Sequence, residues 1–297
     1  MDDVDYRLIA IDLDGTLLSP TGHVTPRTRA AVHHAVEAGI LVCFATGRSW
    51  RESRRILDEV GHLHHAVFVT GALVIDTKES ITLHRRMMGA ELAREAVKFF
   101  EKRGQVVLAL QDSQQAGVDY LVSGGGDLNP ETRKWLKMTE TIVQRRVDLA
   151  TAGHEHTLRV SIVADGNDVH KCHLELQEEF GGRAVCQMLV VPSSGMRVLE
   201  VFEPTVNKWD GVLEVARRHG IEPQQIVAVG DDVNDLPMIR QAGLGVAMGN
   251  APEHVRGAAK RVIGHNAQDG LAALIEELVA RHKERHAGVF IVPAVVV

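Results

Sequence analysis

The run Leu8-Ile9-Ala10-Ile11-Asp12-Leu13-Asp14-Gly15-Thr16-Leu17-Leu18 decides how the rest of the chain is read. Four apolar residues in a row, two of them β-branched isoleucines, suit a strand buried on both faces, as in a parallel sheet covered by helices. The run ends in two carboxylates, a glycine and a hydroxyl. Ligands of open α/β sheets bind outside the carboxyl ends of the strands, so Asp12 and Asp14 are expected at a functional edge. Side chains at i and i+2 leave a strand on the same side, and both carboxylates can address one ligand if the extended backbone persists to Asp14. Taken alone, Asp-Gly is also ordinary turn chemistry with solvated acids.

The segments that follow weigh against that plainer reading. A second apolar run, Ile40 to Ala45, ends in Thr46-Gly47-Arg48-Ser49, and Ser49 can cap a helix running to about Val60. Free amides and the positive end of a helix dipole directly after Thr46-Gly47 suit a phosphate. A third run, Ala66 to Val69, ends at Thr70-Gly71-Ala72, and Leu73-Val74-Ile75 reads as a short return strand. From about Glu79 to Ser194 the pattern changes to α+β, with helices and strands in mixed order. The strand and helix alternation then resumes with Val198 to Phe202. Asn207 opens a helix whose first turn holds Lys208, where a cation opposes the helix dipole. The run Ile226 to Val229 ends in Gly230-Asp231-Asp232-Val233-Asn234-Asp235. Carboxylates so close repel one another, and a hard divalent cation with oxygen ligands would neutralise them. His62, His64 and His65 read as surface histidines, because no matching carboxylate lies nearby in sequence. Gly124-Gly125-Gly126 lacks the flanking βαβ unit of a dinucleotide fingerprint and reads as a loop.

A chain of 297 residues exceeds the usual single core, so two domains, or one with an insertion, are expected. Its 45% hydrophobic and 24% charged residues are those of an ordinary globular protein. A formal charge of -6 argues against nucleic acid or an anionic membrane as a general partner, and leaves any anionic substrate to local positive groups. Three widely spaced cysteines and the lack of a secretory leader pattern point to a cytoplasmic protein, and the apolar tail from Gly288 to Val297 is too short to span a bilayer.

In this order, Asp12-Leu13-Asp14-Gly15-Thr16, Thr46-Gly47-Arg48, Lys208 and Gly230-Asp231-Asp232-Val233-Asn234-Asp235 resemble the four motifs of the haloacid dehalogenase-like phosphohydrolases. The long insertion between the second and third motifs resembles the type IIB cap of the Cof-type branch. The resemblance implies an α/β fold, a Rossmann-like parallel-sheet core at 1–79 and 195–297 with an inserted α+β cap at 80–194 that sets substrate specificity. It implies Asp12 as nucleophile and Asp14 as general acid and base. Asp12, Asp14 through its backbone carbonyl, Asp231 and Asp235 through a bound water would hold Mg²⁺. Thr46, Gly47, Lys208 and Asn234 would hold the phosphoryl group. The implied activity is Mg²⁺-dependent hydrolysis of small phosphorylated metabolites, sugar or polyol phosphates foremost, by a monomer or small homo-oligomer. The alternatives are a sugar-phosphate phosphomutase and a non-catalytic phosphometabolite-binding protein. Thr70-Gly71-Ala72 departs from the Asn-Gly-Ala usual in the Cof-type branch.

Overall fold

A computed structural model describes residues 4–61, 64–124, 127–164, 168–190 and 195–287. His62, Gly125, Gly126 and the tail 288–297 lie outside the described residues. Along the chain, β1 (Leu8–Ile11), β2 (Leu41–Ala45) and β3 (His65–Phe68) come first, followed by β4 (Leu73–Asp76) and β5 (Ile81–Arg85). Next come β6 (Val107–Gln111), β7 (Tyr120–Ser123), β8 (Val143–Arg146), β9 (Thr157–Ala164), β10 (Val185–Val190) and β11 (Arg197–Phe202). The series ends with β12 (Ile226–Gly230), β13 (Leu244–Ala247) and β14 (Arg261–Val262). The chain divides into two compact units, one of residues 1–46, 56–67 and 208–297, the other of residues 47–55 and 68–207.

In the first unit the strands run in the order β14-β13-β12-β1-β2-β3 and every pairing is parallel. All four residues of β1 are inaccessible to solvent, as the apolar run requires. Registers Ile11↔Val229 and Ile11↔Phe44 bring the exits of β12 and β2 to either side of the exit of β1. Acids that lie more than 200 positions apart in sequence thus reach one edge of one sheet. Helices Pro26–Glu37 and Gly270–His286 pack together, as do Lys208–Arg218 and Leu236–Gln241. Thr25 caps the first of these, its side chain accepting from the Thr28 amide, with proline at the first helical position.

The second unit holds the β4–β5 hairpin and a sheet of order β10-β11-β9-β6-β7-β8, antiparallel except for the β7–β8 pair. Phe99, Phe100, Val160, Ile162, Phe180 and Leu199 are among its core residues. Helices Ala90–Glu101 and Asp168–Phe180 pack on this sheet. The segment expected to restart the parallel core, Val198 to Phe202, is β11, which pairs antiparallel with β9 and β10. A buried apolar run specifies burial and not the direction of its neighbours, and the buried Glu200 within it is met by Arg159 across the sheet and accepts from Gln187 Nε2 on β10 at 2.7 Å. The second unit therefore extends past residues 80–194 on both sides. Strands β5 and β8 carry no apolar run, being half-exposed and rich in polar residues.

Candidate active site

Each element of the site begins at a strand exit in the first unit. After β1 the Asp12 backbone is still extended and its amide donates to the Val229 carbonyl at 3.0 Å. Asp14 (φ −79°, ψ 120°) and Gly15 (φ 80°, ψ −8°) then form a turn of type II geometry, which needs a glycine at its third position. Gly15 is required for a second reason. A Cβ there would lie 2.1 Å from the Asp231 Oδ2. The turn closes with Leu17 and Leu18 donating back to the Asp12 and Leu13 carbonyls. It leaves Asp12 4% exposed while the Asp14 side chain is exposed.

At the exit of β12, Gly230 lacks the Cβ that would sit 2.3 Å from the Asp235 carboxyl carbon, so Asp235 can fold back over the strand end. Its Oδ2 accepts from the amides of Asp231 and Asp232 at 2.9 and 3.0 Å. Its Oδ1 accepts from Lys208 Nζ at 2.6 Å, and the same ammonium donates to Asp12 Oδ1 at 2.6 Å. Lys208 and Asp235 are completely buried. This pairing explains why a lysine stands in the first turn of a helix. Burial works against its charge, yet Asp12 and Asp235 hold its pKa above the usual lysine value.

Asp231 accepts from Thr16 Oγ1 at 2.9 Å and from Asn250 Nδ2 at 3.3 Å. Asn250 also donates to the Gly15 carbonyl at 2.8 Å and accepts from the Asn266 amide at 3.1 Å, which fixes which end of its amide is which. Asn250 was missed by sequence reasoning, although Met248-Gly249-Asn250 follows β13 at the same sheet edge and could have been read by the strand-exit rule.

One carboxylate oxygen from each of Asp12, Asp231 and Asp235 lies within 4.8 Å of the other two. One ammonium faces three carboxylates, and the electrostatics show the imbalance. Burial, opposed by Lys208 and reinforced by Asp235, Asp231 and Asp14, pushes Asp12 well above the usual carboxylate range. Burial and the neighbouring Asp235 push Asp231 up to about 7. All-oxygen and short of positive charge, with Asp12 and Asp235 buried and Asp231 half-buried, these residues fit a hard divalent cation such as Mg²⁺. The structure thus brings together Asp12, Lys208, Asp231 and Asp235, with Asp232 turned to capping Val233. Asn234 lies in the same loop, its Oδ1 buried and without a hydrogen-bond partner among the described residues.

Thr46 follows β2 directly, 1% exposed, its amide donating to the Val67 carbonyl. Gly47, which belongs to the second unit, gives its carbonyl to Arg159 Nη1 at 3.2 Å. Ser49 and Glu52 exchange hydrogen bonds as a capping box at the start of helix Trp50–Val60. Glu52 also accepts from Tyr120 Oη at 2.9 Å, and Arg159 joins Tyr120 and Glu200 in the same buried network. Thr70 is buried in the left-handed region at φ 56°, a conformation asparagine tolerates better than a β-branched residue, and its hydroxyl has no hydrogen-bond partner among the described residues.

Among known proteins, the family profile of haloacid dehalogenase-like hydrolases matches residues 9–275. The 5-amino-6-(5-phospho-D-ribitylamino)uracil phosphatase YcsE of Bacillus subtilis is 25% identical over 278 residues, covering 94% of this chain and 98% of its own. A solved haloacid dehalogenase-like hydrolase of Bacteroides thetaiotaomicron superposes with a TM-score of 0.76 at 23% identity, covering 92% of this chain and all of that one. A solved subclass IIB sugar phosphatase of the superfamily superposes with a TM-score of 0.72 at 21% identity, covering 91% and 98%. A parallel sheet carrying acids at its strand exits, an inserted second unit and a profile match across nearly the whole length lead to one assignment: this chain belongs to the haloacid dehalogenase-like hydrolases.

Proposed function

We propose that the chain is a Mg²⁺-dependent phosphatase that hydrolyses small phosphate monoesters, sugar or polyol phosphates, through an aspartyl-phosphate on Asp12. The observation that carries the reading is Asp12 itself, a buried carboxylate whose Oδ1 is held by a fully buried ammonium at the exit of a parallel strand. Asp12 would attack phosphorus, and the ester oxygen would leave with a proton from Asp14, whose exposed side chain can exchange protons with water. Asp14 would then take a proton from the attacking water as the phosphorus–oxygen bond to Asp12 breaks and inorganic phosphate leaves. Lys208, the Thr46 and Gly47 region and Asn234 would meet the phosphoryl oxygens. Phosphoryl transfer leaves a protein mainly this work of positioning and charge stabilisation.

Asp12, Asp231 and the backbone carbonyl of Asp14, with Asp235 acting through a bound water, would hold Mg²⁺, which when bound supplies the positive charge three carboxylates and one ammonium lack. A ribityl phosphate and a sugar phosphate, named for two of the similar proteins, are both phosphorylated polyhydroxy compounds, which supports that substrate class. Residues 80–194 would recognise the part of the substrate beyond the phosphate. The free thiols of Cys43, Cys172 and Cys186 fit a reducing, cytoplasmic setting, and no helix among the described residues is long and apolar enough to cross a membrane.

The test is acid quench during turnover of a radiolabelled phosphate ester, followed by peptide mapping, alongside release of inorganic phosphate. Label on Asp12, lost in Asp12→Asn with the circular dichroism unchanged, is expected. Label on a serine or histidine refutes the mechanism, and return of phosphate only to an organic acceptor marks a mutase.

A further inference from the structure

A second group of metal-ligating side chains lies in the first unit, outside the acidic site. Helix Gly270–His286 carries His282 and His286 one turn apart, and i and i+4 side chains share a helix face. Their rings are 4.3 Å apart between centroids. Asp5, in the segment before β1, addresses each ring with a different oxygen: Oδ1 lies 3.2 Å from His282 Nδ1 and Oδ2 lies 3.4 Å from His286 Nε2. The His282 Nδ1 to Asp5 Oδ1 spacing of 3.2 Å, a hydrogen-bond distance, is also close to the edge of a tetrahedron around a cation with bonds of about 2.0–2.1 Å, which is roughly 3.3 Å. All three donor atoms lie within 4.8 Å of one another. The side chains range from 14% exposed at His282 to 46% at His286, so a cation can enter and keep water in a fourth position.

From this geometry we propose that Asp5, His282 and His286 form a binding site for a late first-row divalent cation of the Zn²⁺ class. Two imidazoles and one carboxylate select such an ion over Mg²⁺, which prefers an all-oxygen set. The cation would clip the segment ahead of β1 to the last described helix, joining residues 277 positions apart. The proposal is independent of the phosphatase reading, since it uses none of the residues assigned to phosphoryl transfer.

The experiment is equilibrium dialysis of the full chain against Zn²⁺ with Mg²⁺ in large excess, so that the acidic site is occupied. It is repeated with Co²⁺, whose visible absorption reports tetrahedral coordination, and thermal unfolding is followed with and without Zn²⁺. Wild type is expected to retain one equivalent of Zn²⁺ and to melt at a higher temperature with it. His286→Ala, at the most exposed of the three positions, and Asp5→Asn should each weaken binding about 100-fold or more, as loss of a direct ligand should exceed the 10–100-fold cost of losing an outer-shell partner. Mg²⁺-dependent hydrolysis should be unchanged in both variants. Failure of wild type to retain Zn²⁺, or equal affinity in wild type and both variants, overturns the proposal.

Discussion

His154 shows at a single residue how neutrality can be built into a fold. It is 3% exposed and sits between two partners, Leu149 O at 2.9 Å from Nε2 and Thr157 Oγ1 at 2.9 Å from Nδ1. A carbonyl only accepts, so Nε2 carries the hydrogen and Nδ1 accepts from the hydroxyl. Thr157 in turn accepts from Gln111 Nε2 at 3.0 Å. Burial lowers the histidine pKa below its ordinary 6.5, outweighing the Leu149 contact that raises it. The unfolded chain therefore binds a proton in a window, from about 6.5 downwards, where the folded one does not, and stability falls as pH falls through that window. Urea midpoints measured from pH 8 to pH 5 should decline below about 6.5, and His154→Gln should flatten that decline. An unchanged slope in the variant would show that other groups carry it. Lys208 is the opposite case, a charge kept by its partners in complete burial. Apart from the motif resemblance, its position in the sequence shows only a mild conflict with a helix dipole, because nothing local announces carboxylate partners 196 and 27 residues away.

Among the elements, the turn after β1 couples backbone to chemistry most tightly. Gly15→Ala would force a side chain into φ 80° and against Asp231, displacing the carboxylate that Thr16 and Asn250 hold. A displacement of about 1 Å in such a site costs on the order of 100-fold in turnover. The backbone strain adds ~1–3 kcal/mol of lost stability. Kinetics with an aryl phosphate and a denaturant titration measure the two, and near-wild-type values for both would refute the dual role assigned to this glycine. The turn and the strand exits were legible because they are local: apolar run, acid, glycine, hydroxyl. The acidic loop after β12 was legible for the same reason. What sequence reasoning misplaced or missed was decided by partners. Arg197–Phe202 has the burial of a core strand and pairs elsewhere, and β8 has almost no apolar content and is held by its neighbour β7. The Arg159, Tyr120, Glu52 and Glu200 network left no motif at all, since each member is an ordinary residue until the sheet aligns it.

For the whole molecule, the first unit gathers Asp12, Lys208, Asp231 and Asp235 from opposite ends of the chain, so a bound cation should act on its global unfolding. Exhaustive chelation should abolish hydrolysis and lower the melting temperature, and Mg²⁺ at 100 times its Kd should restore about 2.7 kcal/mol. Ca²⁺, which accepts more oxygens at longer range, should restore stability but not turnover. Calorimetry and phosphate release test both, and equal rates with Ca²⁺ would remove the geometric argument for Mg²⁺. The discontinuous build of the first unit also bears on how the protein is made. Thr16 and Asp231 are 215 positions apart, and β12, the neighbour of β1, emerges from the ribosome after the entire second unit. At ~5–20 residues per second, β1 waits roughly 10–40 s with one edge unpaired. During that interval the nascent chain presents an apolar strand next to an incomplete nest of acids, and the late third of the protein acts as the template that closes it.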